Sequence, residues 1–359
     1  MFKKADSTDL PERTKILKML AKRVFFILSA LALCIFLVGV SINIGTADVS
    51  LTEVYKALIN TILPGTFPEI SSTTMIIVGD IRAVRALIAV FGGASLAIGG
   101  CITQSILKNP LATPYTLGVS AGAGFGAALT ILLGISILGG VYGILLNALV
   151  FSLIPIGIVT IASIYRAMTP MMIILCGVAI SYIFSASNTI FQFISDAEAV
   201  KQVVFWMVGD LDRVTMSQIP FVAVTAMTVF IIAMFLSKDM NIMRMGDDTA
   251  KSLGVNAGRI RTISLVLSCM LTAVVVSFCG AIGFICLLAP QISRLFVGNE
   301  MQYLLPASAL VGACILCAAD MLPRAMGIPL PVGAITALIG GPVLIMLLLR
   351  SNSYMGVKN

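Results

Sequence analysis

The chain has 359 residues, of which 59% are hydrophobic and only 11% charged, with a mean hydropathy of +1.06. A soluble domain carries about 25% charged residues; the shortfall excludes a disordered chain, a secreted disulfide scaffold and an anchored soluble domain, since the apolar stretches run the whole length. The net charge is +7, from 23 Lys and Arg against 16 Asp and Glu, and the basic residues flank apolar stretches, where they orient helices in a bilayer.

A bilayer core is crossed by about 20 apolar helical residues, and the first such stretch is 24–43. It follows seven basic residues, Lys3, Lys4, Arg13, Lys15, Lys18, Lys22 and Arg23, which place the N-terminus in the cytoplasm. No small-residue cleavage site follows it, so it reads as a span and not a signal peptide. Residues 44–82, with Pro64, Gly65 and Pro68, read as a polar external segment holding one short helix around 51–63. Further spans are expected at 84–105, 116–134, 138–164, 169–193, 217–236, 262–279, 281–296, 303–322 and 331–349, ten in all. The pieces around 110–118 and 281–290 read as simple spans or as broken, re-entrant segments. This topology puts 17 of the 23 basic residues in the cytoplasm and leaves Lys56, Arg82, Arg85, Lys201, Arg213 and Arg324 outside. A miscount of one span before residue 237 would move Lys238, Arg244, Lys251, Arg259 and Arg261 outside and break the charge rule.

Polar groups inside a membrane mark function, because each is costly without a partner or a water path. Asp320 is the one acid clearly inside an expected span, four residues before Arg324, and an i,i+4 ion pair is the plain reading. No chain of buried acids suggests a proton relay or a sodium site. Histidine is absent, which removes the commonest haem ligand and general base. The eight cysteines lie in apolar segments as small hydrophobes; Cys314 and Cys317 have no second pair, so no metal site is expected. Gly92, Gly93, Gly99 and Gly100, then Gly118, Gly122, Gly124 and Gly126, read as close helix packing.

Three stretches are more specific. In 99–122, Pro110 and Pro114 break the helix between two spans, while Gln104 and Asn109 bring amides into it. In 243–261, Gly246 opens a short helix with Asp247 and Asp248 in its first turn, and Gly254 closes it. By periodicity alone, that helix is equally a docking knob for a soluble partner or a resting surface helix. The third runs from Gly280 through Gly283, Pro290, Gln291 and Arg294 to Pro306, Asp320, Arg324, Gly333 and Pro342.

With Asn109-Pro110-Leu111 and Ser252-Leu253-Gly254-Val255, these motifs resemble the iron-siderophore and vitamin B12 permeases (FecCD type), the membrane subunits of type II ABC importers. The resemblance covers about residues 80–350 in order. It implies an all-α, ten-helix permease over 24–350, after a basic segment 1–23 and before a cytoplasmic tail 351–359. It further implies a homodimer around a central path, two cytoplasmic ATPase subunits, an extracytoplasmic binding protein, and no nucleic acid. By the same resemblance Arg82, Arg85 and Arg324 receive acidic residues of the binding protein. Gly246, Asp247, Ala250, Leu253, Gly254 and Val255 seat in the ATPase within a coupling segment 238–261. Gln104, Asn109, Pro110, Pro290 and Gln291 belong to the path or its helix breaks. Val84, Gln291 and Pro323 depart from the family pattern.

No Gly-x-x-x-x-Gly-Lys-[Ser/Thr] occurs, so the chain lacks the phosphate cradle; ATP and Mg are expected on the partner, and no cofactor, metal or catalytic residue on this subunit. The expected function is translocation of a ferric siderophore or related metal chelate across the cell membrane. Haem or cobalamin import, an ion-coupled secondary transporter and a membrane-embedded enzyme are the alternatives.

Overall fold

The computed structural model describes residues 9–45, 47, 49–165, 168–328 and 330–352. Lys3, Lys4, Arg166 and Lys358 of the charge reckoning lie outside the described residues. In chain order the helices are α1 (Asp9–Asn43), α2 (Leu51–Ile62), α3 (Ser72–Met75), α4 (Ala83–Ile106), α5 (Val119–Leu133), α6 (Val141–Tyr165), α7 (Pro170–Ile194) and α8 (Ala197–Met207). They continue with α9 (Ile219–Phe235), α10 (Ser237–Arg244), α11 (Asp247–Ser252), α12 (Ala257–Cys279), α13 (Ile285–Val297), α14 (Met301–Ala325) and α15 (Val332–Asn352). Seven are long and apolar enough to cross a membrane, and Val119–Leu133, Ile285–Val297 and Val332–Leu347 are shorter apolar helices. These ten fall on the ten expected spans.

Local chemistry explains the helix ends. Ser50 and Glu53 form a capping box that starts α2, each satisfying one of the other's orphan donors. Thr169 caps α7 with Pro170 in its first turn, where a missing N–H costs nothing. At the break after α4, Thr113 caps the 3-10 turn Pro114–Leu117, so 110–118 is an irregular elbow and not a span.

The entry to α4 differs from expectation. The polar segment was expected to run to residue 82, but the chain is already helical from Ser72, and a π-helical turn, Ile76–Arg82, joins α3 to α4 without interruption. The residues responsible are Met75, Ile76, Ile77, Val78 and Ile81, an apolar run holding only Asp80 among charges. Two arginines read as a membrane boundary; the structure instead places Arg82 and Arg85 inside the helix and buries both.

Helix α4 is the axis of the bundle. Twenty of its 24 residues are buried, and it packs on α14, α12, α13 and α9. With little hydrophobic drive between helices in lipid, close backbone approach and polar pairs hold such contacts. Thr103 Oγ1 and Ser268 Oγ share a hydrogen bond of 2.7 Å between α4 and α12. Two glycines solve a specific problem. Pro290 in α13 and Pro155 in α6 lack an N–H, so each frees the carbonyl four residues earlier, those of Cys286 and Phe151. Each freed carbonyl lies against a glycine of the neighbouring helix, Gly100 of α4 and Gly122 of α5, where a Cβ would overlap the oxygen.

Gly100→Ala is therefore expected to destabilise the bundle by at least the roughly 1–3 kcal/mol typical of overpacking, visible as a lower thermal midpoint of the detergent-purified protein. Gly157→Ala, in α6 with open space around the new Cβ, is the control and should leave the midpoint unchanged or slightly raised.

Candidate functional site

At the end of the bundle where α1 finishes and α4 begins, the three sequence-selected arginines converge. Asp320 of α14, fully buried, accepts from Arg85 Nε and Nη2 through Oδ1 at 3.1 and 2.6 Å. Its Oδ2 lies 2.7 Å from Arg324 Nη2. The expected i,i+4 pair is thus present, but within a wider group. Arg324 also donates to the Ser41 and Ile44 carbonyls at 3.0 and 2.9 Å and to the Ser41 hydroxyl at 2.6 Å. Arg82 donates to the carbonyls of Ile42, Asn43 and Ala47 at 3.4, 3.1 and 2.5 Å. Two arginines thereby cap the carbonyls at the C-terminal end of α1, where cations complement the helix dipole.

Asp210 and Asp212, in the segment between α8 and α9, complete the group. Arg85 Nη1 pairs with Asp212, and Asp210 lies 3.9 Å from Nη2. Backbone hydrogen bonds hold this segment over the bundle: Gly209 N to Ala281 O at 3.1 Å, Asp210 N to Cys279 O at 2.7 Å, and Gly333 N to Gly209 O at 2.8 Å. A cavity of about 420 Å³ opens here, lined among others by Arg82, Arg85, Arg324, Asp210 and Asp212. Neither acid stands out in the sequence, where the one signal is two carboxylates in a segment expected on the same side of the membrane as the three arginines.

In the last turn of α4, at its far end from Arg85, Gln104 closes the gap left by Pro290. Its Nε2 donates to the freed Cys286 carbonyl at 3.0 Å, and its Oε1 accepts from Arg294 at 2.7 Å. Asn109 Oδ1 accepts from Leu111 N at 2.9 Å, an Asx turn that shapes the elbow. Gln291 Nε2 donates to the Pro110 carbonyl at 3.0 Å. All five residues assigned to path or break thus meet at one joint between the elbow and α13.

The opposite end carries the 243–255 segment. Gly246, at φ +128°, starts α11, and Gly254, at φ +82°, follows its end; both backbone conformations suit glycine. Ala250 is buried, Val255 N returns to Ala250 O at 2.9 Å, and Leu253 is 59% exposed. Asp247 receives Arg261 of α12 at 2.5 Å and Lys108 of the elbow at 3.4 Å; Arg261 also donates to the Met168 carbonyl at 3.3 Å. Burial pushes the Asp247 carboxyl up, but the hydrogen bond and charge of Arg261, with Lys108 beside it, outweigh that and hold it below the usual carboxylate range. The helix is therefore tied at its root to α12 and to the elbow, with its far edge exposed.

These features define a membrane permease with polar assemblies at both ends and no catalytic constellation among the described residues. The FecCD transport family matches residues 33–350, and the chain belongs to it as a permease subunit of an ABC importer. It is 33% identical over 330 residues to the Fe(3+)-citrate import system permease of Bacillus subtilis, covering 91% of this chain and 95% of that one. The hemin transport system permease of Yersinia pestis is 34% identical over 275 residues, covering 76% and 82%. A metal-chelate type ABC transporter solved in an inward-facing conformation matches with a TM-score of 0.79 at 29% identity, over 90% of this chain and 98% of that one.

Asp320→Asn would leave two buried guanidinium groups facing a neutral amide. Removing one partner of a buried ion pair costs about 3–5 kcal/mol, so a large loss of folded protein is expected, measured as membrane abundance and detergent melting. An unchanged melting point would show that Asp210 and Asp212 suffice to hold Arg85, and the Ser41 and Ile44 oxygens to hold Arg324.

Proposed function

We propose that this chain forms the translocation path for a ferric siderophore or related iron chelate, as a homodimer served by two cytoplasmic ATPase subunits and an extracytoplasmic binding protein. ATP and Mg then act on the ATPase, and the 238–261 segment and both termini face the cytoplasm. The distribution of basic residues supports this orientation, with 17 of 23 on that side. The iron chelate is supported by the family and by the cargo named for the Bacillus relative. Haem is the second reading, drawn from the Yersinia relative; the lack of histidine takes away the commonest haem ligand.

The observation that carries the reading is the separation of two docking features on one rigid bundle. The exposed edge of α11 around Leu253 and Gly254 supports an ATPase contact, and the arginine-lined cavity at the other end supports reception of an acidic partner. Closure of the ATPase pair then pushes α11. Because Asp247 ties α11 to α12 through Arg261 and to the elbow through Lys108, the push reaches α12 and the α4–α5 elbow together. The Gln291 and Gln104 bonds pass it on to α13. Asp247 stays ionised at neutral pH, so this tie does not loosen there. A second copy is supported by α7, whose Tyr182, Ser185 and Thr189 are exposed together with Met171, Leu175 and Phe193; hydroxyls on an outward face suit a water path or partner better than lipid.

Proteoliposomes holding the permease, ATPase and binding protein should accumulate a radioiron-loaded hydroxamate siderophore only with ATP. Uptake driven by an ion gradient without the ATPase would overturn the reading, and uptake of hemin but not the siderophore would transfer it to haem. Leu253→Asp should cut co-purification of the ATPase about tenfold or more, the loss of a buried apolar anchor of roughly 1.5–3 kcal/mol, with the permease itself melting normally.

A further inference from the structure

We propose that Asp212 is an internal occupant of the docking site: its carboxylate sits on Arg85 where a carboxylate of the binding protein must bind, and docking exchanges one for the other. This rests on the reading of the arginine end as the docking surface.

The three acids around Arg85 are not equivalent. Asp320 is fully buried and is shared by two arginines, engaging Arg85 Nε and Nη2 and also Arg324; its loss would strand two cations, so it is permanent. Asp210 is fixed by its own backbone bond to Cys279 and stands 3.9 Å from the guanidinium. Asp212 alone pairs with the remaining amino group, Nη1, and its side chain is 59% exposed, at the wall of the cavity. Arg85 is buried, but the Asp212 end of the pair is open to water, which competes for its carboxylate and keeps the pair weaker than the one to Asp320. Turning Asp212 into solvent therefore frees one edge of Arg85 while Asp320 keeps the other edge anchored.

Charge gives the exchange its direction. Among the described residues, Arg82, Arg85 and Arg324 are matched by Asp210, Asp212 and Asp320, and the bonds of Arg82 itself go to backbone carbonyls. With Asp212 turned away the cavity becomes net positive, so it accepts an anionic side chain, and its volume of about 420 Å³ admits one. An Arg fork prefers a carboxylate over any neutral group. Asp212 thus makes docking selective, because a partner without an acid at this point displaces nothing. It also keeps docking reversible, because the number of ion pairs is the same before and after.

The test uses the complete permease–ATPase complex in lipid nanodiscs, titrated with its own fluorescently labelled binding protein. Asp212→Asn, which keeps the shape and removes the charge, is expected to tighten docking about three- to tenfold, the range of one partly exposed ion pair, with faster association at low salt. Asp212→Ser should act in the same direction. Docking that is unchanged or weaker in both variants overturns the inference. Ile81→Glu, at an exposed position on the cavity wall, separates this from failure of the docking reading. If it weakens docking while the Asp212 variants do not tighten it, only the exchange falls; if it has no effect, the docking surface itself lies elsewhere and both fall.

Discussion

The carboxylate of Asp320 is the constraint on which this end of the bundle depends. A fully buried charge in an apolar environment is tolerated only with close partners of opposite charge, and here the partners come from different places in the chain. Arg85 lies 235 residues away on α4, and Arg324 lies one turn along the same helix. Satisfying one acid therefore fixes α4 against α14. Arg324 then reaches the last carbonyls of α1, and Arg82 does the same from α4, so α1, α4 and α14 are set by one connected group.

From that anchored end α4 runs inward as a rigid strut, and its sequence changes character as it goes. Arginines give way to glycines and small residues where other helices press close, and then to Gln104, whose amide fills the hydrogen-bond gap made by Pro290. Proline breaks and glycine gaps are used as complementary parts: the carbonyl that one residue frees occupies the space that the other leaves open. The elbow beyond Gln104 meets α11 through Lys108 and Asp247, so a displacement of α11 has a continuous polar route into the bundle. The two ends differ in kind. One is a buried charge group with a single exposed member, Asp212, and the other is a short helix held at its root and bare at its edge. The first suits exchange with a charged partner, the second a mechanical contact.

What the sequence by itself determined is local: the ten apolar segments, the broken elbow after Gln104, the opening and closing of α11 by Gly246 and Gly254, and the pairing of Asp320 with Arg324. Each follows from periodicity, capping or i,i+4 spacing, which act over a few residues. The entry to α4 is not local in this way. Charged side chains mark a membrane boundary only when water solvates them, and nothing near Arg82 and Arg85 in sequence indicates that distant acids and carbonyls do so instead. Only the tertiary structure decided that Asp320 holds Arg85, that Asp212 covers its last free edge, that Gln104 reaches Cys286 across 182 residues, and that Lys108 meets Asp247 across 139. Those contacts join residues that no helical repeat relates. They exist because a crowded, water-poor interior leaves each buried polar group to find its partner wherever packing happens to bring one.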